Sequence, residues 1–274
     1  MGNKVSTKEL GLVLGAKLLN VEDLHYGLWG KDLELRLGNL PEAQQRYTDF
    51  LLGHIPKGVK TVLDVGCGTG HVSRILLEKG YQVQAISPSP ELSKLVRGRL
   101  GPEFPLHETT LEGFGTDSRF DLILFSESYQ YIPLENSFAQ ARALLNPGGH
   151  VLICDFFRTD APGKSPIRGG HDWRKFQDAL AAQPFEVVSD EDITALTAPN
   201  MDLVDNLLRD YAVPVWEAGA YYMKANRPWL ARLLSWVFRK RIDRLQHKYF
   251  SHQRTGEAFA RFKTYHCILL KLKG

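Results

Sequence analysis

The run Thr61-Val62-Leu63-Asp64-Val65-Gly66-Cys67-Gly68-Thr69-Gly70 constrains this chain more than any other stretch. Apolar residues lead into an acid and then into three glycines at alternate positions, and a helix-compatible segment, His71 to Glu78, follows at once. Val62, Leu63 and Val65 read as a parallel strand buried on both faces, because such strands are apolar throughout. The glycines permit a tight turn and let backbone approach a bound molecule. Amides opening the next helix add donors at the same place. A dinucleotide-type turn would space its glycines G-x-G-x-x-G and place an acid about 20 residues later. Here the third glycine comes one place early, His71 stands where that pattern wants glycine, and Ser87 stands near the place of the later acid.

The whole pattern, D-V-G-C-G-T-G after an apolar strand, resembles the first motif of class I S-adenosylmethionine-dependent methyltransferases. Two further stretches carry the resemblance. His25-Tyr26-Gly27-Leu28-Trp29-Gly30, followed by a helix from Pro41 to Leu52 with Ala43-Gln44 inside it, is similar to the entry segment of small-molecule and lipid members such as the tocopherol, sterol and quinone enzymes. Leu145-Asn146-Pro147-Gly148-Gly149 is similar to the family's L-x-P-G-G before the fifth strand. The resemblance implies an α/β fold: a Rossmann-like sheet of seven mostly parallel strands, helices on both faces, and helical caps at the N-terminus and in a late insertion. The implied cofactor is S-adenosylmethionine, leaving as S-adenosylhomocysteine. Its amino-acid end falls to Asp64 and the turn Gly66, Cys67, Gly68, Gly70. Ser87 takes the ribose position, where relatives carry Asp or Glu. A serine can bond one hydroxyl but gives up the charge-assisted bidentate contact. Thr110 and Leu111 fall at the adenine edge through their amides, and Ser126 ends the fourth strand.

The same resemblance implies acceptor-side roles. Ser126-Glu127-Ser128-Tyr129-Gln130-Tyr131-Ile132-Pro133 follows the strand Phe120 to Phe125, and ligands in open α/β sheets bind beyond the carboxyl ends of strands. Relatives often read E-V-L-E-H-x-P there; this chain has Gln130 and Tyr131 in place of Glu and His, so a histidine base is not available. Glu127 is the candidate base or orienter, Tyr26 and Tyr129 are candidate polar contacts, and His171 is the outermost candidate, with a solvent-facing cap as its alternative. Asp155, ending the fifth strand, points to the same pocket.

The segments divide as a lead-in over 1–58, a core over 59–192, a helical insertion over 193–258 and a final strand over 259–274. Further strands are expected at Tyr81 to Ile86, Phe104 to Glu108, His150 to Phe157, Phe185 to Val188 and Phe262 to Leu272. Tyr211, Trp216, Tyr221, Tyr222 and Met223 in the insertion supply apolar area that either roofs a hydrophobic acceptor or packs as core. Residues 227–248 carry seven Lys or Arg against the one acid Asp243, with an apolar stripe at helical spacing. That pattern suits contact with an anionic membrane surface or an inward-packed helix with a solvated basic face.

Bulk properties set the remaining limits. A net charge of +3 over 274 residues gives no argument for nucleic acid. No apolar run is long enough to span a bilayer, so the expected location is the cytoplasm, or its membrane surface. Met1-Gly2 with Ser6 fits a short myristoylation pattern. Cys67, Cys154 and Cys267 are too scattered for a disulfide framework, and no metal site is expected. The alternatives that stay open are a polar amine or phospho-base acceptor, a nicotinamide-dependent oxidoreductase, and a non-catalytic membrane-surface binder. Oligomeric state is not legible.

Overall fold

Successive residues of each central strand point to opposite faces, and here both faces are apolar. Val62, Leu122, Leu124 and Leu152 are buried in one layer, and Leu63, Val65, Ile123, Phe125 and Ile153 in the other. Such a sheet must be covered on both sides. The computed structural model describes residue 23, residues 25–249 and residues 253–273; the myristoylation pattern at the start lies outside them.

The strands are β1 (Thr61–Val65), β2 (Gln82–Ile86), β3 (Leu106–His107), β4 (Phe120–Ser126), β5 (Leu145–Arg158), β6 (Phe185–Asp192) and β7 (Lys263–Leu272). They form one seven-stranded sheet in the order β3-β2-β1-β4-β5-β7-β6. Only β7 runs antiparallel to its neighbours. The expected mostly parallel Rossmann-like sheet is therefore present. Helices α1 (Leu40–Gly53), α2 (His71–Glu78) and α3 (Pro90–Leu100) contribute Tyr47, Leu51, Leu76 and Val96 to the first layer. Helices α4 (Leu134–Leu144) and α5 (Trp173–Ala181) contribute Phe138, Leu144 and Phe176 to the second. The chain moves outward from β1 through β2 to β3, then returns to place β4 on the other side of β1. That reversal opens a crevice at the carboxyl ends of β1 and β4.

Three strand expectations shift. β3 shrinks to two residues, while β6 runs on to Asp192 because it pairs with β7 along its length. Asn-Pro-Gly-Gly is a bulge inside β5 instead of a loop before it: Leu145 pairs with Phe120, and His150 already pairs with Leu122. Asn146 Nδ2 donates to Asp121 Oδ1 (2.7 Å), and Asp121 Oδ2 accepts from the amides of Lys60 and Thr61 (2.9 and 3.0 Å). The bulge thereby pins the entry of β1.

After β6 come α6 (Thr194–Thr197), α7 (Pro199–Leu207), a π-helical turn (Leu208–Ala212), α8 (Val213–Asn226), α9 (Pro228–Tyr249) and α10 (Gly256–Phe262). Asn200 on α7 ties this region to the lead-in. Its Oδ1 accepts from Gly27 N–H (2.8 Å) and Trp29 Nε1 (3.1 Å), and its Nδ2 donates to the Gly27 carbonyl (2.7 Å). Trp29 is buried against Ala43 and Leu203. The lead-in segment is thus strapped across the carboxyl ends of the strands.

Candidate active site

The glycine turn is fastened before it meets any ligand. Gly66 N–H donates to the Ile86 carbonyl (2.8 Å) at the end of β2, and Gly70 N–H to the Cys67 carbonyl (2.8 Å). Gly66, Gly68 and Gly70 all have φ between +56° and +78°, where a side chain costs about 1–2 kcal/mol. Their surroundings differ. A Cβ on Gly66 would lie 2.5 Å from Ser128 Cβ, one on Gly70 would press on Val96 at 3.2 Å, and one on Gly68 would meet nothing within 4 Å. Gly68 faces open space. Gly66→Ala is accordingly expected to cost about 3 kcal/mol of stability, strain and overpacking together. Gly68→Ala should cost about 1 kcal/mol while its methyl intrudes on the ligand. Urea unfolding beside ligand titration separates the two.

That open space is a cavity of ≈ 390 Å³ at the carboxyl ends of β1, β2 and β4. Asp64, Gly66, Cys67, Gly68, Ser87, Thr110, Leu111 and Ser126 all line it, which brings together eight of the nine expected cofactor residues. Gly70 does not; it caps α2 and turns toward α3. Asp64 is buried, and Ser73 Oγ donates to its Oδ2 (2.5 Å). Burial pushes its carboxyl up to about 6, with the serine donation pulling the other way. Burial also pushes the Cys67 thiol well up, so it stays neutral.

Glu127 lines the same cavity and is the one non-glycine residue with positive φ (54°) among the described residues. Its Oε1 accepts from Tyr26 N–H (2.6 Å) and from Tyr265 Oη (2.9 Å). Tyr265 Oη lies 3.0 Å from Tyr47 Oη. Side chains on α1 and β7 and the lead-in backbone therefore hold one carboxylate that β4 delivers. Burial raises the Glu127 carboxyl above its usual value, offset in part by the charge of nearby His25 and by these donors.

Opposite it stands a cluster that the sequence reading passed over. Asp23 accepts from His71 Nδ1 (2.6 Å), and its other oxygen lies 3.3 Å from His25 Nε2. All three residues line the cavity. Burial alone would raise Asp23, but the histidine donors and their charge hold it well below the usual range. His25 is raised: its burial works against the charged form, but the bond to Asp23, the charges of Asp23 and Glu127 and the Tyr26 carbonyl together outweigh it. The available signal was Asp23-x-His25 beside the aromatic lead-in, with His71 directly after the glycine turn; no local period links residues that far apart.

The remaining expected acceptor residues lie elsewhere. Tyr129 is buried among Phe125, Phe138, Phe157 and Phe176, and its hydroxyl accepts from Ser137 Oγ (2.8 Å). The chain takes a single 3₁₀ turn at Tyr129–Tyr131, which turns Tyr129 into the core and leaves Tyr131 at the cavity. His171 Nε2 lies 3.1 Å from the Tyr129 carbonyl, away from the cavity. Tyr26 reaches the site only through its backbone, its ring packing against Phe156, Phe259 and Tyr265. Asp155 turns to Gln130, accepting its amide (2.9 Å) and Nε2 (3.0 Å), and so braces the loop carrying Glu127. Tyr211, Trp216, Tyr221, Tyr222 and Met223 neither line this cavity nor form core; all are exposed.

A family model described as a methyltransferase domain matches residues 37–197, more than half of the chain. The ubiquinone biosynthesis O-methyltransferase of Azotobacter vinelandii is 27% identical over 178 residues, covering 59% of this chain and 76% of that one. The chain spans about half the length (52%) of the uncharacterized mycobacterial methyltransferases it also matches. Among solved structures, the [4+2]-cyclase SpnF gives a TM-score of 0.67 at 17% identity, covering 98% of this chain and 96% of that one. The geranyl diphosphate C-methyltransferase from Streptomyces coelicolor A3(2), bound to Mg2+, geranyl diphosphate and S-adenosyl-L-homocysteine, gives 0.64 at 14%, covering 94% and 92%. At these identities the two structures speak to the fold.

Proposed function

Because the chain belongs to the methyltransferase-domain family, we propose that it moves a methyl group from S-adenosylmethionine to a small hydrophobic or lipid-like acceptor. The observation that carries the reading is the open face of Gly68 beside the buried Asp64 carboxylate in one cavity. A Cβ at Gly68 would fill that face, so the cradle fits a ligand brought against backbone. Asp64 is the partner for an ammonium, Ser87 for a ribose hydroxyl, and the amides of Thr110 and Leu111 for the adenine edge. When bound, the cofactor supplies the electrophile, a methyl on positive sulfur.

The protein's own contribution is alignment, exclusion of water and one proton. Glu127 holds an acceptor hydroxyl or acidic carbon by its proton and takes that proton as the acceptor attacks. Tyr265 and the Tyr26 amide keep its Oε1 occupied, which leaves Oε2 for the acceptor. The Asp23–His25–His71 cluster fixes the lead-in against the glycine turn. The hydrophobic class is supported by the ubiquinone relative and by Tyr131 and Ile132, which line the cavity along with Glu127.

A second reading, an amine acceptor, is favoured by the four carboxylates lining one cavity, Asp23, Asp64, Glu112 and Glu127. Incubating the protein with methyl-labelled S-adenosylmethionine and cell extract, then separating organic from aqueous phases, distinguishes them. Label in the organic phase is the expected result. Label confined to water selects the amine reading, and no transfer by cofactor-loaded protein overturns both.

A further inference from the structure

The helices beyond α7 turn apolar residues toward water. Eleven of the eighteen exposed large hydrophobic residues among the described residues fall between Tyr211 and Phe238, so they form a patch and not a scatter. On α9, Trp229, Leu233, Trp236 and Val237 recur at helical spacing and share one face. They are 64%, 48%, 75% and 54% exposed. Leu230 and Leu234 border this stripe at helical spacing and are half-buried. The inward-packed alternative does not account for the exposed residues of this stripe.

The charge around the stripe has one sign. Arg232 and Arg239, seven residues apart, border it and are exposed. From residue 218 to 242 the sequence has six Lys or Arg and no acid, and α8 and α9 hold three of the chain's five tryptophans. A second copy is a poor occupant, because a two-fold contact would bring both copies' arginines into one apolar interface unpaired. Aromatic rings with arginines beside them are what the headgroup region of an anionic bilayer stabilises. No helix among the described residues is long and apolar enough to cross a membrane, so the contact lies in the plane of the interface.

We propose that α8 and α9 form a docking surface for an anionic lipid bilayer, with Trp229 and Trp236 entering the headgroup boundary and Arg232 and Arg239 meeting lipid phosphates. This holds whether or not the cavity transfers a methyl group.

The test is flotation of the full chain with phosphatidylcholine vesicles, with and without phosphatidylglycerol, read together with tryptophan emission. Binding and a blue shift are expected on the anionic vesicles. Arg232→Gln with Arg239→Gln should weaken binding about 25-fold, roughly fivefold per arginine. Trp229→Ala with Trp236→Ala should remove most of the blue shift at an unchanged melting temperature, since both rings are exposed. The proposal is overturned if anionic vesicles do not float the protein, or if both double variants bind as well as the parent. It is also overturned if lipid-free protein self-associates through Trp229 and Trp236, which would give the face to a second copy.

Discussion

Replacing Asp64 by asparagine is expected to weaken S-adenosylmethionine binding by about two to three orders of magnitude and to leave the fold intact. The carboxylate is buried with a single side-chain donor, Ser73, and faces a cavity otherwise lined there by glycine backbone. A cationic group placed beside it gains a partner that asparagine cannot replace. The fold has little to lose. The carboxyl sits at about 6, above its unfolded value of 3.8, so folding penalises the ionised form, and stability falls as pH rises between those two values. Asparagine lacks that penalty, so above pH 6 the variant should melt at or above the parent temperature. Binding has the opposite dependence. Parent affinity should decline about tenfold per unit as pH falls below about 6, because the carboxyl then takes a proton in place of the ligand's charge. Calorimetric titration across this range should show the slope in the parent and a flat line in the variant. Parent-like affinity in Asp64→Asn would remove the cofactor assignment.

The second large effect is on turnover. Glu127→Gln should lower kcat by about two to four orders of magnitude, the usual worth of a positioned general base, with S-adenosylmethionine affinity near that of the parent. Glutamine can keep the bonds from Tyr26 N–H and Tyr265 through its carbonyl oxygen, so the loop geometry survives and the loss isolates the proton transfer. Burial raises the Glu127 carboxyl above its usual value, and only the deprotonated form can accept a proton. Activity in the parent should therefore fall as pH drops through that raised value, and the residual rate of the variant should not. An undiminished kcat would show that the acceptor needs no base, as a neutral amine would not, and would favour the amine reading.

How the site came to be legible follows from where its information sits in the chain. Asp64, Gly66, Cys67 and Gly68 lie within five consecutive residues, and backbone sterics alone make that stretch a strand followed by a left-handed turn. Ser126 ends a strand whose apolar run announces it, and Ser87 directly follows β2. Tyr129 misled because the chain after Ser128 takes a 3₁₀ turn: a residue two places past Glu127 was expected on the same side, and one tight turn buried it. Asp155 misled for a related reason. It ends its strand as expected, but Gln130 supplies two donors and captures it.

The sequence by itself determined the parallel sheet, the crevice at its carboxyl ends and the glycine cradle, because each rests on apolar periodicity or on the φ angles glycine allows within a few residues. Tertiary structure alone decided which polar groups share the cavity. Asp23 meets His71 across 48 residues, and Tyr265 meets Glu127 across 138. It also decided that the tryptophans of α9 face outward. Contacts so distant in the chain leave no period to read; they exist only once burial of the two apolar layers has fixed where each strand and helix ends.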